Sequence, residues 1–286
     1  MKYIKSPINY AGSKYRIIKE ITSLFPKEID TFIDLFGGAG NITINAKAKR
    51  IIYNEIIDYL PELFNYWKNN KKEDINKYID DTILKYNLNQ ENLEGFIEFR
   101  KHYNEEKNIA DLFILLCFSF NYQMRFNNKR EYNSSFGKSA STMNDNIRNN
   151  LNTFIDYIQS NNINFVCKDF RELKIEKLTD KSFVYLDPPY LISCGVYQDG
   201  KRGFNGWTQQ DDIGMMNLCD KLDNKGIKFC MSNMLESKGK INQELYDWSK
   251  KYNVIKIQKD YKNSNYQRKN IGKDLEVAIV NYNIDK

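Results

Sequence analysis

Asp187, Pro188, Pro189 and Tyr190 carry the clearest chemical signal in the sequence. Two consecutive prolines lack backbone N–H groups and have a fixed φ, so their carbonyl groups can only accept hydrogen bonds. An aromatic amine is a poor nucleophile until both of its hydrogens are accepted, and the Asp187 carboxylate and the Pro188 carbonyl suit that task. Tyr190 can stack on a planar base. The motif therefore predicts catalytic residues for group transfer to an amine such as that of adenine.

The elements around this motif predict an open α/β sheet. The apolar run 183–186 predicts a strand that ends at Asp187, and ligands bind at the carboxyl ends of such strands. Residues 31–36 predict a second strand, which a glycine-rich turn, FGGAG, and a helix from Ile42 follow. Glycines allow a close backbone approach to a ligand. Thr43 stands where the dinucleotide fingerprint needs a third glycine, which disfavours an NAD site.

The rest of the chain completes this sheet around a helical insertion. Residues 50–55 predict a strand with Glu55 at its end, where an acid accepts hydrogen bonds from ribose hydroxyls in doubly wound folds. From about residue 61 to residue 159 the pattern is helical, with an apolar helix near residues 111–120. Further strands are predicted at 164–167, 183–186, 227–231, 254–257 and 275–280. We expect a core of residues 1–60 and 160–286, with residues 61–159 inserted.

Composition narrows the functional classes. The 286 residues carry 43 Lys+Arg against 37 Asp+Glu, and a net charge of +6 does not by itself indicate a polyanionic partner. No apolar run approaches the length of a membrane span, and no secretion signal is recognisable, so we expect a cytoplasmic protein without a membrane partner. His102 is the only histidine and the five cysteines are scattered, which disfavours a metal site, a Ser-His-Asp triad and a disulfide framework.

Two basic segments could contact nucleic acid. In the loop 120–139, lysines and arginines alternate with aromatic side chains, which suits phosphate contacts, guanine recognition and wedging between bases. A solvated loop is the alternative interpretation. The strip 261–273, which includes Arg268 and Lys269, could also contact phosphates, and a solvated hairpin is nearly as well supported.

In this order, the segments resemble the DNA adenine methylase (Dam) family of S-adenosylmethionine-dependent adenine-N6 DNA methyltransferases. The resemblance covers nearly the whole chain. Residues 7–14, PINYAGSK, resemble the family's WAGGK-type segment, residues 33–40 its cofactor loop, and residues 168–170, KDF, the segment beside the cofactor's adenine. Residues 120–138 resemble its recognition hairpin. The DPPY motif itself is shared by many amino-methyltransferases and specifies the chemistry rather than the substrate.

The resemblance implies a Rossmann-like class I methyltransferase core, with a mixed seven-stranded sheet flanked by helices. It implies S-adenosylmethionine as cofactor, S-adenosylhomocysteine as product and no metal. Lys14 is implied to contact the carboxylate end of the cofactor's methionine. The implied cofactor-binding residues are Tyr10, Lys14, Asp34, Phe36, Gly37, Gly38, Ala39, Gly40, Glu55, Asp169, Phe170 and Asp187.

The resemblance also implies that residues 61–159 form a helical target-recognition domain for double-stranded DNA. Arg125 would read a guanine, while Phe120 and Asn121 would fill the gap left by a flipped adenine. The implied DNA-binding residues are Asn9, Phe120, Asn121, Arg125, Asn127, Lys138, Arg268 and Lys269. Asn9 stands where some relatives carry a base-reading lysine, and Ser135 replaces the proline of the hairpin's PFG turn, so GATC and a related short site both stay open.

We therefore expect a site-specific, adenine-specific DNA methyltransferase, monomeric, of bacterial or phage origin, with or without a cognate restriction endonuclease. Methylation of adenine in RNA or of glutamine in protein remains an alternative, because related motifs serve those reactions. A non-catalytic DNA-binding relative is the alternative from another functional class, and the intact DPPY motif argues against it.

Overall fold

Eight strands form one mixed sheet in the computed structural model, which describes residues 3–196, 206–257 and 274–284. The strands are β1 (Thr31–Asp34), β2 (Arg50–Asn54), β3 (Ile163–Val166), β4 (Ser182–Leu186), β5 (Lys228–Ser237), β6 (Lys240–Ile241), β7 (Asn253–Lys256) and β8 (Leu275–Val280). Seven of them follow the order β3-β2-β1-β4-β5-β8-β7, and β6 pairs with β5. Strands β1 to β5 are parallel, whereas β8 is antiparallel to β5 and β7. The predicted Rossmann-like α/β class is confirmed.

Both faces of the sheet are buried. Phe32 and Phe183 pack on one face, while their neighbours Ile33 and Val184 pack on the other, because successive strand side chains point to opposite sides. Because apolar side chains project from both faces of the sheet, helices must cover both faces. The helices are α1 (Ile18–Thr22), α2 (Tyr59–Asn69), α3 (Lys72–Lys85), α4 (Leu93–Glu106), α5 (Ile109–Phe118), α6 (Asp145–Ser160), α7 (Gln209–Asn224) and α8 (Gln243–Ser249). None of the helices described is both long and apolar enough to cross a membrane.

Helices α2 to α6 lie between β2 and β3 in the chain and share the core of the sheet. The Phe64 ring on α2 lies 5.0 Å from Phe154 on α6 and 5.3 Å from Phe165 on β3, between ring centroids. Trp67 packs edge-on against Phe113 of α5. The helical segment is therefore packed onto the sheet through one continuous core.

The helix predicted from Ile42 is wrong. The chain makes only a 3-10 turn over Thr43–Asn45 before β2 begins. The Thr43 hydroxyl donates to the Asp34 carboxylate at 2.6 Å, and the Asn45 side chain bonds both backbone groups of Ile4. Side-chain bonds of this kind compete with helical hydrogen bonds, so the polar residues hold the segment against β1 and the N-terminal segment instead.

The segment after α5 folds back on itself as a hairpin. The Phe120 N–H donates to the Ser135 carbonyl at 2.8 Å, and the Asn133 N–H donates to the Arg125 carbonyl at 2.9 Å. Tyr132 is buried at the base and shares a 2.7 Å hydrogen bond with the Ser119 hydroxyl. An ion pair of Arg130 with Asp58 joins the tip to the start of α2. The hairpin is thus held at both ends.

Candidate active site

A cavity of about 490 Å³ opens at the carboxyl ends of the parallel strands. Its walls include four acids, each placed directly at or shortly after a strand end: Asp34 (β1), Glu55 (β2), Asp169 (β3) and Asp187 (β4). The strand order reverses between β1 and β4, and crevices at such switch points are the usual ligand sites of open α/β sheets. The sheet therefore assembles residues that are distant in the chain into one site.

The Asp187 carboxylate is anchored through one oxygen. Its Oδ1 accepts from the Lys14 ammonium at 2.7 Å and lies 3.1 Å from the Tyr190 hydroxyl. Its Oδ2 has no hydrogen-bond partner within the part of the chain that the structure describes. Asp187, Pro188 and Pro189 line the cavity. The arrangement holds a carboxylate at the wall with one oxygen available to a ligand.

Electrostatics at Asp187 act in opposite directions. Burial raises the pKa of the carboxyl, and this is the largest effect, while the Lys14 ammonium lowers the pKa. The side chain of Lys14 is 8% exposed and that of Asp187 is 15% exposed, so solvent screens the pair weakly. Lys14 therefore favours the ionised carboxylate in a site where burial disfavours it.

Tyr190 lies beneath the cavity rather than on its wall. It is 8% exposed, the Lys14 ammonium lies 4.9 Å from its ring centroid, and its hydroxyl lies 3.0 Å from Oε1 of Glu276. Burial raises the pKa of Tyr190 well above its ordinary value, so the phenol stays protonated and donates. Glu276 comes from β8 and was not predicted, although a carboxylate inside the apolar run LEVAIV is itself an unusual signal.

Two side chains set the shape of the glycine loop. The Tyr53 hydroxyl donates to the Gly38 carbonyl at 2.6 Å, and Oε2 of Glu55 accepts from the Gly38 N–H at 2.9 Å. Any Cβ at Gly37 would overlap the Tyr53 ring, and Gly38 and Gly40 have φ of +49° and +76°. Glycine is required at all three positions by close packing or by backbone conformation. Gly37, Gly38 and Ala39 line the cavity, and none of them places a bulky side chain between the backbone and a ligand.

Asp34 is a buried acid with spare hydrogen-bonding capacity. Its Oδ2 accepts from Thr43, while its buried Oδ1 has no partner among the described residues. The pKa of Asp34 is raised to about 7: burial has the largest effect, the Thr43 hydrogen bond opposes it, and the charges of Asp187 and Glu55 add to it. A buried acceptor without a donor costs free energy, and a cation or N–H of a bound ligand would satisfy it.

The far end of the cavity is aromatic. The ring centroids of Phe36, Phe170 and Trp207 are separated by 5.5 Å, 5.7 Å and 5.6 Å. Beside them Arg171 bridges the carboxylates of Asp169 and Asp211. This end suits a planar group with polar edges. Sequence reasoning identified Phe36, Asp169 and Phe170 but missed Trp207, Arg171 and Asp211, of which only Arg171 adjoins a recognised segment.

The hairpin forms another wall of the same cavity. Gln123, Met124 and Arg125 line it, and the Gln123 side chain accepts a 2.8 Å hydrogen bond from the Arg125 guanidinium. From the N-terminal segment, the Asn9 amide donates to the Asn121 carbonyl at 2.9 Å. Tyr10 packs beside Gly38, and Ala39 lines the cavity with it.

The predicted DNA-contacting residues differ in their surroundings. Phe120 is 51% exposed, and Asn121, Arg125 and Lys138 are exposed as well. Asn127 instead accepts from the backbone N–H groups of Lys129 and Glu131, so its side chain shapes the hairpin turn. Arg268 and Lys269 lie outside the described residues.

Sequence similarity identifies the family of the chain. The sequence model of one family, the D12 class N6 adenine-specific DNA methyltransferases, matches residues 10–263. The chain belongs to this family. The predicted resemblance to adenine-N6 DNA methyltransferases is thereby confirmed.

Three relatives match nearly the whole chain. It is 43% identical over 283 residues to the StsI modification methylase of Streptococcus sanguinis, covering 98% of the chain and 43% of the relative. It is 42% identical over 280 residues to the type II methyltransferase M.FokI of Planomicrobium okeanokoites, covering 98% and 43%. It is 32% identical over 283 residues to the LlaI modification methylase of Lactococcus lactis, covering 98% and 44%. The chain thus spans less than half the length of these relatives.

The cavity fits the cofactor that a D12 methyltransferase implies. S-adenosylmethionine has a planar adenine, ribose hydroxyls and a charged methionine end. The site offers an aromatic end, the Glu55 carboxylate, the glycine loop and Oδ1 of Asp34, which has no partner among the described residues. Along the edge of the sheet, the strand order β3-β2-β1-β4 sets the order of Asp169, Glu55, Asp34 and Asp187.

Proposed function

We propose that the chain transfers a methyl group from S-adenosylmethionine to the exocyclic N6 amine of an adenine flipped out of duplex DNA, at one short sequence. The observation that carries this proposal is that the anchored Asp187 carboxylate and Pro188 share one cavity with the glycine loop and the hairpin. The acceptors for an amine, the cradle for a cofactor and the basic segment for DNA converge there.

In this proposal each part of the cavity holds one part of the cofactor. The rings of Phe36, Phe170 and Trp207 enclose the adenine, and Asp169 lies at its edge. Glu55 accepts from the ribose hydroxyls, and Asp34 accepts from the charged methionine end. Tyr10 and Lys14 close that end of the cavity beside Gly38 and Asp187. The cofactor supplies a methyl group on a sulfonium, which makes transfer favourable once a nucleophile is aligned.

The chain's own residues prepare the nucleophile. Oδ2 of Asp187 and the carbonyl of Pro188 accept the two amine hydrogens, which localises the nitrogen lone pair toward the methyl donor. The N6–CH3 bond forms as the S–CH3 bond breaks, and the proton released from N6 goes to Asp187. Tyr190 stacks on the base with one face of its ring. Because Tyr190 is 8% exposed, entry of the base must first uncover that face.

The hairpin supplies the DNA contacts. Phe120 and Asn121 occupy the space left by the flipped adenine, which offsets an unstacking cost of a few kcal/mol. Arg125, on the cavity wall, reads a guanine, and Lys138 contacts phosphate. Residues 61–159 are in this proposal the target-recognition domain, and Asn9 contributes from the N-terminal segment. The target is GATC or a related short site, and contacts by Arg268 and Lys269 remain predictions.

The relatives are named modification methylases or type II methyltransferases. We infer by analogy a monomeric enzyme of the cytoplasm that protects DNA against a cognate restriction endonuclease. A nuclease gene of the same specificity beside this gene would support the inferred partner, and a genome without one would contradict it.

Methyl transfer from labelled S-adenosylmethionine to unmethylated duplex DNA tests the proposal, with sequencing that detects N6-methyladenine. We expect methyladenine confined to one short site, and its loss in Asp187→Ala but not in Asp180→Ala, a change at an exposed acid. Matched RNA and protein substrates run in parallel. Folded, cofactor-binding protein that leaves every duplex unmodified would contradict the proposal, and incorporation into RNA or protein would identify the substrate instead.

A further inference from the structure

Glu276 contacts two residues of the site, Tyr190 and Lys14, although it lies far from the DPPY motif in the sequence. It follows Leu275 on β8, is 4% exposed and belongs to a strand whose other buried residues are apolar. Strand β8 pairs with β5, which pairs with β4, and Asp187 follows β4 directly. A buried carboxylate is expensive unless charged or polar partners offset its desolvation, so its placement here calls for a function.

The Tyr190 hydroxyl connects Glu276 with Asp187. Its oxygen lies 3.0 Å from Oε1 of Glu276 and 3.1 Å from Oδ1 of Asp187. A phenol has one hydrogen to donate, so the two carboxylates share a single donor. The positive charge of Lys14 offsets the two negative charges in part, since its ammonium lies 2.7 Å from Asp187 and 3.9 Å from Glu276.

We propose that Glu276 is a positioning residue, which acts through the Tyr190 hydroxyl to hold the Asp187 carboxylate with Oδ2 directed to the target amine. This inference rests on the proposed methyltransferase function and deepens it. Glu276 accepts from the hydroxyl at 3.0 Å and so restrains its position. The hydroxyl in turn constrains Oδ1, and a carboxylate held by one oxygen presents the other in a defined direction.

The charge of Glu276 has a second effect on Asp187. Burial has the largest effect on the pKa of Asp187 and raises it, whereas Lys14 lowers it. The negative charge of Glu276 raises this pKa as well. Within the described residues, the titratable groups that act on Asp187 or are affected by it are Lys14 of the N-terminal segment, Asp34 at the end of β1, Tyr185 on β4, Tyr190 after β4, Cys230 on β5 and Glu276 on β8. A more basic Asp187 is a stronger acceptor for the amine hydrogens, which favours transfer.

Glu276→Gln separates this role from simple structural support. Glutamine keeps the size of the side chain and can accept from Tyr190, but it lacks the charge. We expect kcat to fall about tenfold with an unchanged KM for the cofactor, and the acid limb of the kcat profile to move to lower pH because the pKa of Asp187 drops. Glu236→Gln, on the paired strand β5 opposite Leu275, makes the same chemical change as a control.

A double-mutant cycle with Tyr190→Phe tests the route through the hydroxyl. Phenylalanine keeps a ring for stacking and removes the shared donor. We expect Tyr190→Phe to lower kcat at least tenfold, and adding Glu276→Gln to lower it less than twofold further. Multiplicative effects of the two changes, or an acid limb that stays in place in Glu276→Gln, would overturn the inference.

The outcome is distinguishable from failure of the proposed function. An inactive wild-type protein that binds the cofactor contradicts the methyltransferase proposal itself. An active wild-type protein with an equally active, equally stable Glu276→Gln variant contradicts only the role of Glu276. Cofactor-dependent change in tryptophan fluorescence, expected from Trp207 in the cavity, verifies in each variant that the site is folded.

Discussion

Lys14 and Asp187 form a largely buried ion pair, with 2.7 Å between Nζ and Oδ1. One partner lies in the N-terminal segment and the other directly after β4, so the pair joins the beginning of the chain to the catalytic motif. The lysine also donates to the Gly12 carbonyl at 3.2 Å, which fixes its direction. Among the described residues, Lys14 is the cation that favours ionisation of the proposed amine acceptor.

Lys14→Met is expected to impair catalysis in a pH-dependent way. Burial already raises the pKa of Asp187 and Lys14 lowers it, so removing the ammonium raises the pKa further. Because the ionised carboxylate is the active form, activity disappears as pH falls through this pKa, and the acid limb of kcat moves to higher pH. At pH 7 we expect at least a tenfold loss, measured at saturating cofactor. Lys19→Met, at an exposed lysine, should match wild type, and an unmoved acid limb in Lys14→Met would refute the coupling.

Asp34→Asn is expected to stabilise the protein at pH 8 while weakening cofactor binding. The folded pKa is about 7 against an ordinary 3.8, so the folded state binds the proton more tightly than the unfolded state. The wild type therefore loses stability as pH rises from about 4 to about 7, and the variant avoids this loss. The gain at pH 8 is about a few kcal/mol and vanishes near pH 4.

Urea unfolding at pH 4.5 and pH 8 measures this difference. Asp180→Asn, at an exposed acid, provides the matched control and should show no gain at either pH. A variant with the same advantage over wild type at both values would show that Asp34 does not titrate in this range.

Gly37→Ala is expected to disrupt the cofactor loop. The added Cβ overlaps the Tyr53 ring, whose hydroxyl holds the Gly38 carbonyl, so the ring or the loop must move. Overpacking of this kind costs about 1–3 kcal/mol in stability, and we expect cofactor affinity to fall at least tenfold. Gly214→Ala, on α7 with room for a Cβ, should retain affinity. Calorimetric titration with S-adenosylhomocysteine compares them, and equal affinities would refute the role of this contact.

Phe120→Ala is expected to impair base displacement without affecting cofactor binding. Phe120 lies at the start of the hairpin and its side chain is 51% exposed, so its removal leaves the core intact. We expect kcat/KM for DNA to fall at least tenfold, and 2-aminopurine fluorescence at the target position to lose its enzyme-dependent increase. Leu84→Ala, at a still more exposed apolar residue on α3, should behave as wild type. A fluorescence increase in Phe120→Ala equal to that of wild type would contradict the assignment.

Arg125→Ala is expected to relax the sequence preference. A bidentate contact to guanine contributes about 1–3 kcal/mol of discrimination, so methylation of sites changed at one position should rise by about ten- to a hundredfold relative to the cognate site. Lys129→Ala, at an exposed lysine of the same hairpin, should instead weaken binding to all sequences and reduce the salt slope by about 1. Identical preferences in Arg125→Ala and wild type would exclude this arginine as a base reader.

The sequence by itself determined the class of fold, most of the strands and the chemistry of the site. Alternating and continuous apolar runs identified the strands because burial on both sheet faces leaves that pattern, and the strand at Leu275–Val280 matches its predicted bounds. The glycine loop and the DPPY motif are local features, in which covalent structure and backbone conformation carry the signal.

Only the tertiary structure decided which distant groups meet. The helix predicted from Ile42 failed because Thr43 and Asn45 bond to residues outside their own segment, which local propensity does not reveal. Trp207, just before α7, and Glu276, on β8, reach the site from distant parts of the chain, and the N-terminal segment brings Lys14 to Asp187. Strand order brings such groups together, and strand order is set by packing of the whole chain rather than by any segment alone.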